Sequence, residues 1–90
     1  MSLTYVFFIV TLIVKISYRR MIVARILVIE DNHDIHEILT HLFEKEHQVY
    51  SAYSGIEGLA VFEREKPDLV LLDIMLPGKN GDQVLREIRS

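Results

Sequence analysis

The chain has 90 residues, of which 50% are hydrophobic and 26% charged, and its formal net charge is −3. This length allows at most one small domain, and the composition is that of a globular protein and not of a disordered chain. Cysteine is absent, which excludes a disulfide framework or a thiolate metal site and suits a reducing compartment. Residues 1–20 carry +3 and residues 21–90 carry −6, so the acidic body argues against direct nucleic-acid binding.

Residues 1–20 form an apolar N-terminal segment that ends in positive charges. The run from Tyr5 to Val14 is shorter than the about 20 apolar residues that a membrane span needs, and its flanks do not match a signal peptide. Three interpretations stay open: sequence upstream of a natural start at Met21, a marginal membrane anchor with a cytoplasmic C-terminal side, or an extra β-strand. We therefore expect a cytoplasmic protein, or one at the cytoplasmic face of the membrane if residues 1–20 are an anchor.

Strand and helix patterns alternate from residue 24 onward. The run "RILVIE" is short and apolar, as in a strand buried on both faces. A helix follows, with an apolar stripe at helical spacing and a cap expected at Asp31, Asn32 or Asp34. The stripe consists of Ile35, Ile38, Leu39, Leu42 and Phe43.

The second half of the pattern repeats the first. "HQVYSAY" predicts a strand, and Ser54 with Glu57 predicts a capping box at the start of the next helix, which Pro67 ends. "DLVLLD" predicts a third strand, and "DQVLREIRS" predicts the beginning of a third helix. The expected apolar faces are Ile56, Leu59, Ala60 and Phe62 in the second helix and Val84, Leu85 and Ile88 in the third.

The order βαβαβα predicts an α/β fold with a doubly wound parallel sheet. In such sheets ligands bind beyond the carboxyl ends of the strands. Two of the predicted strands end there in acids, at Glu30-Asp31 and at Asp73. If these strands are neighbours, three carboxylates converge, and such a cluster favours Mg²⁺, which prefers oxygen ligands. A carboxylate beside Mg²⁺ can also act as a nucleophile toward phosphorus.

The motifs "ILVIEDN" and "DLVLLDIMLPGKNG" closely resemble the receiver domain of two-component response regulators, over residues 24–90. The resemblance implies a flavodoxin-like fold of five βα units and phosphorylation by a sensor histidine kinase. It assigns Glu30 and Asp31 to Mg²⁺, Asp73 to phosphate acceptance, and the backbone carbonyl of Met75 to the metal. It also implies a signalling module and not a free-standing enzyme. The loop "IMLPGKNG" is most similar to the subgroup with a winged-helix DNA-binding output domain.

These 90 residues end within the third predicted helix. The family's hydroxyl residue after its fourth strand and lysine after its fifth strand are absent, so we expect a receiver fragment comprising residues 21–90. Because the third strand would then lack a neighbour, exposed apolar residues from Leu69 to Leu72 predict self-association, with residues 1–20 able to fill the gap. One alternative function is a pseudo-receiver interaction module without phosphotransfer. Another is a Mg²⁺-dependent phosphohydrolase, which Met75 disfavours because such an enzyme requires an acid at that position.

Four histidines, at positions 33, 36, 41 and 47, could suggest a metal site. No carboxylate is placed beside them by the pattern. We therefore expect them to be solvated residues on a helix surface.

Overall fold

The computed structural model describes the backbone of residues 5–9 and, with side chains, residues 23–73, 76 and 81–90. Four strands and three helices lie in these ranges. In chain order they are β1 (Tyr5–Ile9), β2 (Arg25–Ile29), α1 (His33–Phe43), β3 (Gln48–Ala52), α2 (Gly55–Glu65), β4 (Leu69–Asp73) and α3 (Gly81–Arg89). From β2 onward the order is the predicted βαβαβα.

The strands form one parallel sheet in the order β1-β4-β2-β3. The inner strands β2 and β4 consist of continuous apolar residues because both of their faces are covered. Leu27, Ile29, Val70 and Leu72 face α2 and α3, whereas Ile26, Val28, Leu69 and Leu71 face α1. The alternation follows from the two-residue period of a strand.

Strand β1 changes the interpretation of the N-terminal segment. Residues 5–9 pair in parallel with β4 from Tyr5↔Leu69 to Ile9↔Asp73. The extra-strand interpretation therefore describes these residues, which fill the gap beside β4 as the sequence allowed. Because β2 pairs with the other side of β4, this strand does not have the unpaired edge that we expected. The rest of residues 1–20 lies outside the described residues, so the upstream-sequence and anchor interpretations, like self-association, stay predictions.

Helix α1 buries a narrower stripe than we predicted. Leu39 and Phe43 are buried, but Ile35, Ile38 and Leu42 are 41%, 47% and 53% exposed. The helix packs on β2 and β3 through its buried residues His36, Leu39 and Phe43. His36 is therefore in the core, where the predicted stripe had placed isoleucines. Residues that are three or four positions apart lie on the same face of a helix, and the packing of the helix decides which face is buried.

Helix α2 also buries a different face from the one that we predicted. Ile56 is 68% exposed and Ala60 is exposed, while Gly55, Gly58 and Val61 are buried. Leu59 and Phe62 pack against the core as expected, and so do Val84, Leu85 and Ile88 of α3. Within the described residues, no helix has the length and apolarity to cross a membrane.

Candidate acidic site at the carboxyl end of the sheet

The turn between β2 and α1 places two acids at the end of the sheet. Strand β2 ends at Ile29, and α1 begins at His33, so only three residues separate them. Asn32 caps the helix, since its side-chain oxygen accepts a hydrogen bond from the backbone N–H of Ile35 at 3.0 Å. The tight turn leaves Glu30 2% exposed and Asp31 exposed.

Strand β4 brings the third acid to the same edge. The two inner strands are neighbours, and Ile29 pairs with Leu72, so the next residues along the strands, Glu30 and Asp73, lie side by side. One oxygen from each of the carboxylates of Glu30, Asp31 and Asp73 lies within 4.8 Å of the others. The three acids that the sequence singled out therefore share one site, formed by residues far apart in the chain.

Crowding and burial change the protonation of Glu30. Its pKa rises from the ordinary 4.5 to about 7, first because burial penalises the charged form. A hydrogen bond to Asp73, the negative charge of Asp73 and a hydrogen bond to Asp31 raise it further. The N–H of Asn32 opposes these effects by donating to Glu30 Oε2 at 3.1 Å. In the absence of a cation, Glu30 therefore retains a proton up to near neutrality and donates it toward Asp73.

The donor set fits Mg²⁺. All three side chains offer hard carboxylate oxygens, the ligand type that Mg²⁺ prefers, and one oxygen from each lies within 4.8 Å of the others. Burial raises the pKa of Glu30 most, and repulsion from the nearby carboxylate of Asp73 adds to the shift. A divalent cation would relieve that repulsion and release the proton.

Other predicted site residues have different outcomes. Met75, whose backbone carbonyl the resemblance assigns to the metal, lies outside the described residues. The prediction of solvated histidines is wrong for His36 and His47, which are 2% and 7% exposed.

Sequence reasoning missed the part that His36 plays beside the acids. Its Nδ1 lies 3.0 Å from the backbone oxygen of Glu30. The available signal was its spacing, because His36, Leu39 and Phe43 fall at i, i+3 and i+7. The sequence analysis instead expected a solvated histidine, because no carboxylate is placed beside it by the pattern, whereas a buried polar group is stable when it has a hydrogen-bond partner.

A family comparison matches most of the chain. The model for the response regulator receiver domain matches residues 26–90, which include all three acids. The chain belongs to this receiver family. The match begins after β1, so the family pattern covers β2 to α3 and does not include the N-terminal strand.

Solved receiver structures have the same fold. The chain is 39% identical to the BeF3-activated N-terminal receiver domain of RstA from Klebsiella pneumoniae, with a TM-score of 0.67, covering 72% of this chain and 56% of that one. A response regulator receiver protein from Methanoculleus marisnigri is 34% identical, with a TM-score of 0.71 and coverage of 74% and 55%. NtrX from Brucella abortus in complex with ADP is 33% identical, with a TM-score of 0.70 and coverage of 74% and 16%. The receiver thus spans just over half the length of the first two chains.

Proposed function

We propose that this receiver accepts a phosphoryl group on Asp73 in a two-component phosphorelay. The observation that carries the proposal is the approach of three carboxylates, within 4.8 Å, at the carboxyl ends of two neighbouring parallel strands. This is the edge where α/β sheets bind ligands. The family match over residues 26–90 supports a role in two-component signalling.

Asp73 is the proposed nucleophile because the resemblance of its motif to receiver domains assigns phosphate acceptance to it, and its exposure is compatible with that role. It ends β4 and is only partly buried, so a donor can approach it, whereas Glu30 is enclosed. In the proposed step, a carboxylate oxygen of Asp73 attacks phosphorus and the bond from phosphorus to the donor nitrogen breaks. The electron pair of that bond leaves with the imidazole of the donor histidine, and an acyl phosphate remains on Asp73.

Glu30, Asp31 and Asp73 would hold Mg²⁺, with the backbone carbonyl of Met75 as a further proposed ligand. Bound there, Mg²⁺ would neutralise negative charge on the transferring phosphoryl group. Glu30 must lose its proton to act as a ligand, and the N–H of Asn32 stabilises the resulting carboxylate.

The proposed partner is a sensor histidine kinase, since receivers as a family interact with such kinases. The chain would be a signalling module that supports only its own phosphorylation, and not a free-standing enzyme. A cytoplasmic location and the absence of nucleic-acid binding by residues 1–90 stay predictions. The resemblance of the loop to regulators with a winged-helix output domain also stays a prediction.

Intact-mass measurement with acetyl phosphate and Mg²⁺ tests the proposal. We expect the wild type to gain the mass of one phosphoryl group, slowly, because the family's later lysine and hydroxyl are not in these 90 residues. Asp73→Asn should gain none. Asp68→Asn is the matched control, since Asp68 precedes the same strand at its opposite end, and it should label like the wild type.

Two outcomes would change the assignment. Undiminished labelling of Asp73→Asn would show that another residue accepts the phosphoryl group. No labelling of the wild type by acetyl phosphate or by a kinase, with the fold intact, would favour the pseudo-receiver interaction module.

A further inference from the structure

His36 is buried directly beneath the acidic site. Its side chain is 2% exposed, and Nδ1 lies 3.0 Å from the backbone oxygen of Glu30. A carbonyl oxygen only accepts hydrogen bonds, so Nδ1 carries the proton and donates. The bond joins the first turn of α1 to the residue that follows β2.

This bond completes a set of three that fixes Glu30. The backbone N–H of Glu30 donates to the Ala52 oxygen at 3.0 Å, which fixes it to β3. Its side-chain Oε2 accepts from the N–H of Asn32 at 3.1 Å, which fixes it to the turn. The bond from His36 to its carbonyl oxygen fixes it to α1. Asp31 lies between Glu30 and Asn32, so its backbone is held by the same set.

The surroundings of the ring indicate that the hydrogen bond, and not packing alone, accounts for a histidine here. The ring stacks on Tyr53 with centroids 4.2 Å apart and planes 19° apart, which an apolar aromatic residue could also do. His36 Nε2, however, is buried and has no hydrogen-bond partner among the described residues. Burying such a nitrogen is unfavourable. A phenylalanine would avoid that cost but would leave the Glu30 oxygen without its donor.

We propose that His36 is a positioning residue for the acidic site, whose Nδ1–H fixes the backbone from which Glu30 and Asp31 project. It does not touch the metal or the phosphoryl group and acts only through Glu30. Its effect on Mg²⁺ rests on the proposed function. Its effect on the backbone of the turn does not.

Two substitutions separate the hydrogen bond from the ring. His36→Asn retains a donor, since Asn Nδ2 and His Nδ1 are each bonded to Cγ, but it loses the stack on Tyr53. His36→Phe retains the stack and loses the donor. His41→Asn is the control on the same helix, because the side chain of His41 is 65% exposed and lies beside the carboxylates of Glu37 and Glu44, away from Glu30.

Calorimetric titration with Mg²⁺ gives the first measurement on the 90-residue chain. We expect His36→Phe to weaken binding about tenfold, as the loss of an outer partner commonly does. His36→Asn and His41→Asn should bind within about twofold of the wild type. Equal affinity in His36→Phe, or an equal loss in His36→Asn and His36→Phe, would overturn the proposal.

Amide hydrogen exchange without Mg²⁺ gives the second measurement, with unfolding midpoints determined alongside. His36→Phe should speed exchange selectively at Asn32 and in the first turn of α1, and His36→Asn should not. Uniform acceleration across the sheet would indicate general destabilisation and contradict a positioning role. If the wild type binds no Mg²⁺, the metal assignment fails, and the exchange result still decides the role of His36.

Discussion

The two ends of strand β2 differ in how their polar groups are satisfied. At the amino end, the N–H of Arg25 donates to Asp68 Oδ2 at 2.8 Å, and the N–H of Asp68 returns a bond to the Arg25 oxygen at 2.7 Å. The Arg25 guanidinium donates to the Glu65 carbonyl oxygen and forms an ion pair with its carboxylate at 3.2 Å. Both acids at this end therefore have donors: Asp68 accepts from a backbone N–H, and Glu65 pairs with the Arg25 guanidinium.

At the carboxyl end, three acids converge. Burial and the neighbouring acids raise the pKa of Glu30 to about 7. The comparison indicates that the amino end of β2 contributes to stability and that the carboxyl end is suited to binding a ligand. At the amino end these groups bind one another, while the carboxyl end brings three carboxyl groups together, where we propose that a cation and a phosphoryl group bind.

Removing the charge of Glu30 should have the largest effect on stability. Because its folded pKa lies above 4.5, Glu30 stabilises the fold fully below about pH 4.5, and this contribution is lost as pH rises through about 7. Without Mg²⁺, the free energy of unfolding of Glu30→Gln should therefore exceed that of the wild type by roughly 3 kcal/mol at pH 8 and match it near pH 4. Urea unfolding in EDTA across this range measures the difference.

The control for Glu30 is Glu63→Gln, whose side chain is 75% exposed. The free energy of unfolding of this variant should depend on pH in the same way as that of the wild type. If Glu30→Gln and the wild type also showed the same pH dependence, the proposed difference between the two ends of β2 would be wrong.

The packing of Ile29, the last residue of β2, against α2 can be tested as part of the comparison. A Cβ added at Gly58 of α2 would lie 2.5 Å from Ile29 Cδ1 and 2.9 Å from its Cγ1. Gly58→Ala should destabilise by about 1–2 kcal/mol, since overpacking outweighs the better helix propensity of alanine. Ile29→Val removes Cδ1, so the double variant should lose less than the sum of the single variants. Additive losses in denaturant unfolding would contradict this contact.

Asp68→Ala tests the amino end of β2. The substitution leaves the N–H of Arg25 without its carboxylate acceptor and should cost about 1 kcal/mol. Asp68→Asn retains a side-chain oxygen and should cost less. The effect of Asp68→Ala should persist at pH 5 and pH 8, unlike that of Glu30→Gln, and a strong pH dependence in thermal unfolding would refute the comparison.

The smallest effect is expected at Lys66, which follows α2 and precedes β4. Its φ of 50° is left-handed, a region that favours glycine. Lys66→Gly should raise the free energy of unfolding by about 0.5 kcal/mol. Lys66→Ala retains the strain and removes only an exposed contact with Glu63, so it should not stabilise. Chemical unfolding that ranks alanine above glycine would contradict the expectation.

Local signals predicted the elements well. Ser54 Oγ accepts from the N–H of Glu57 at 3.2 Å, as the capping box required, although Glu57 Oε1 reaches the N–H of Tyr53 and not that of the cap. The continuous apolar run of β2 is buried on both faces, as predicted. The run of β4 is recognisable as a strand in the same way, but the expectation that Leu69 to Leu72 are exposed is wrong, because these residues are buried. These features depend on neighbours within a few residues, which a sequence displays directly.

Signals that depend on another element's position were less informative. Ile35, Ile38 and Leu42 fit a helical stripe as well as Leu39 and Phe43 do, but the docking of α1 on β2 and β3 buries only the latter pair. The same packing of α1 on β2 and β3 buries His36. Periodicity gives the width of an apolar face and not its orientation.

The sequence by itself determined the α/β alternation of residues 25–89, the family and the three acids at the strand ends. Tertiary structure decided that β2 and β4 are neighbours, which brings Glu30 beside Asp73, and that His36 and His47 are buried. It also placed residues 5–9 alongside β4, where the sequence left three interpretations open. The physical reason is that propensity and periodicity act over a few residues, whereas burial, pKa and strand pairing depend on groups that only the folded chain brings together.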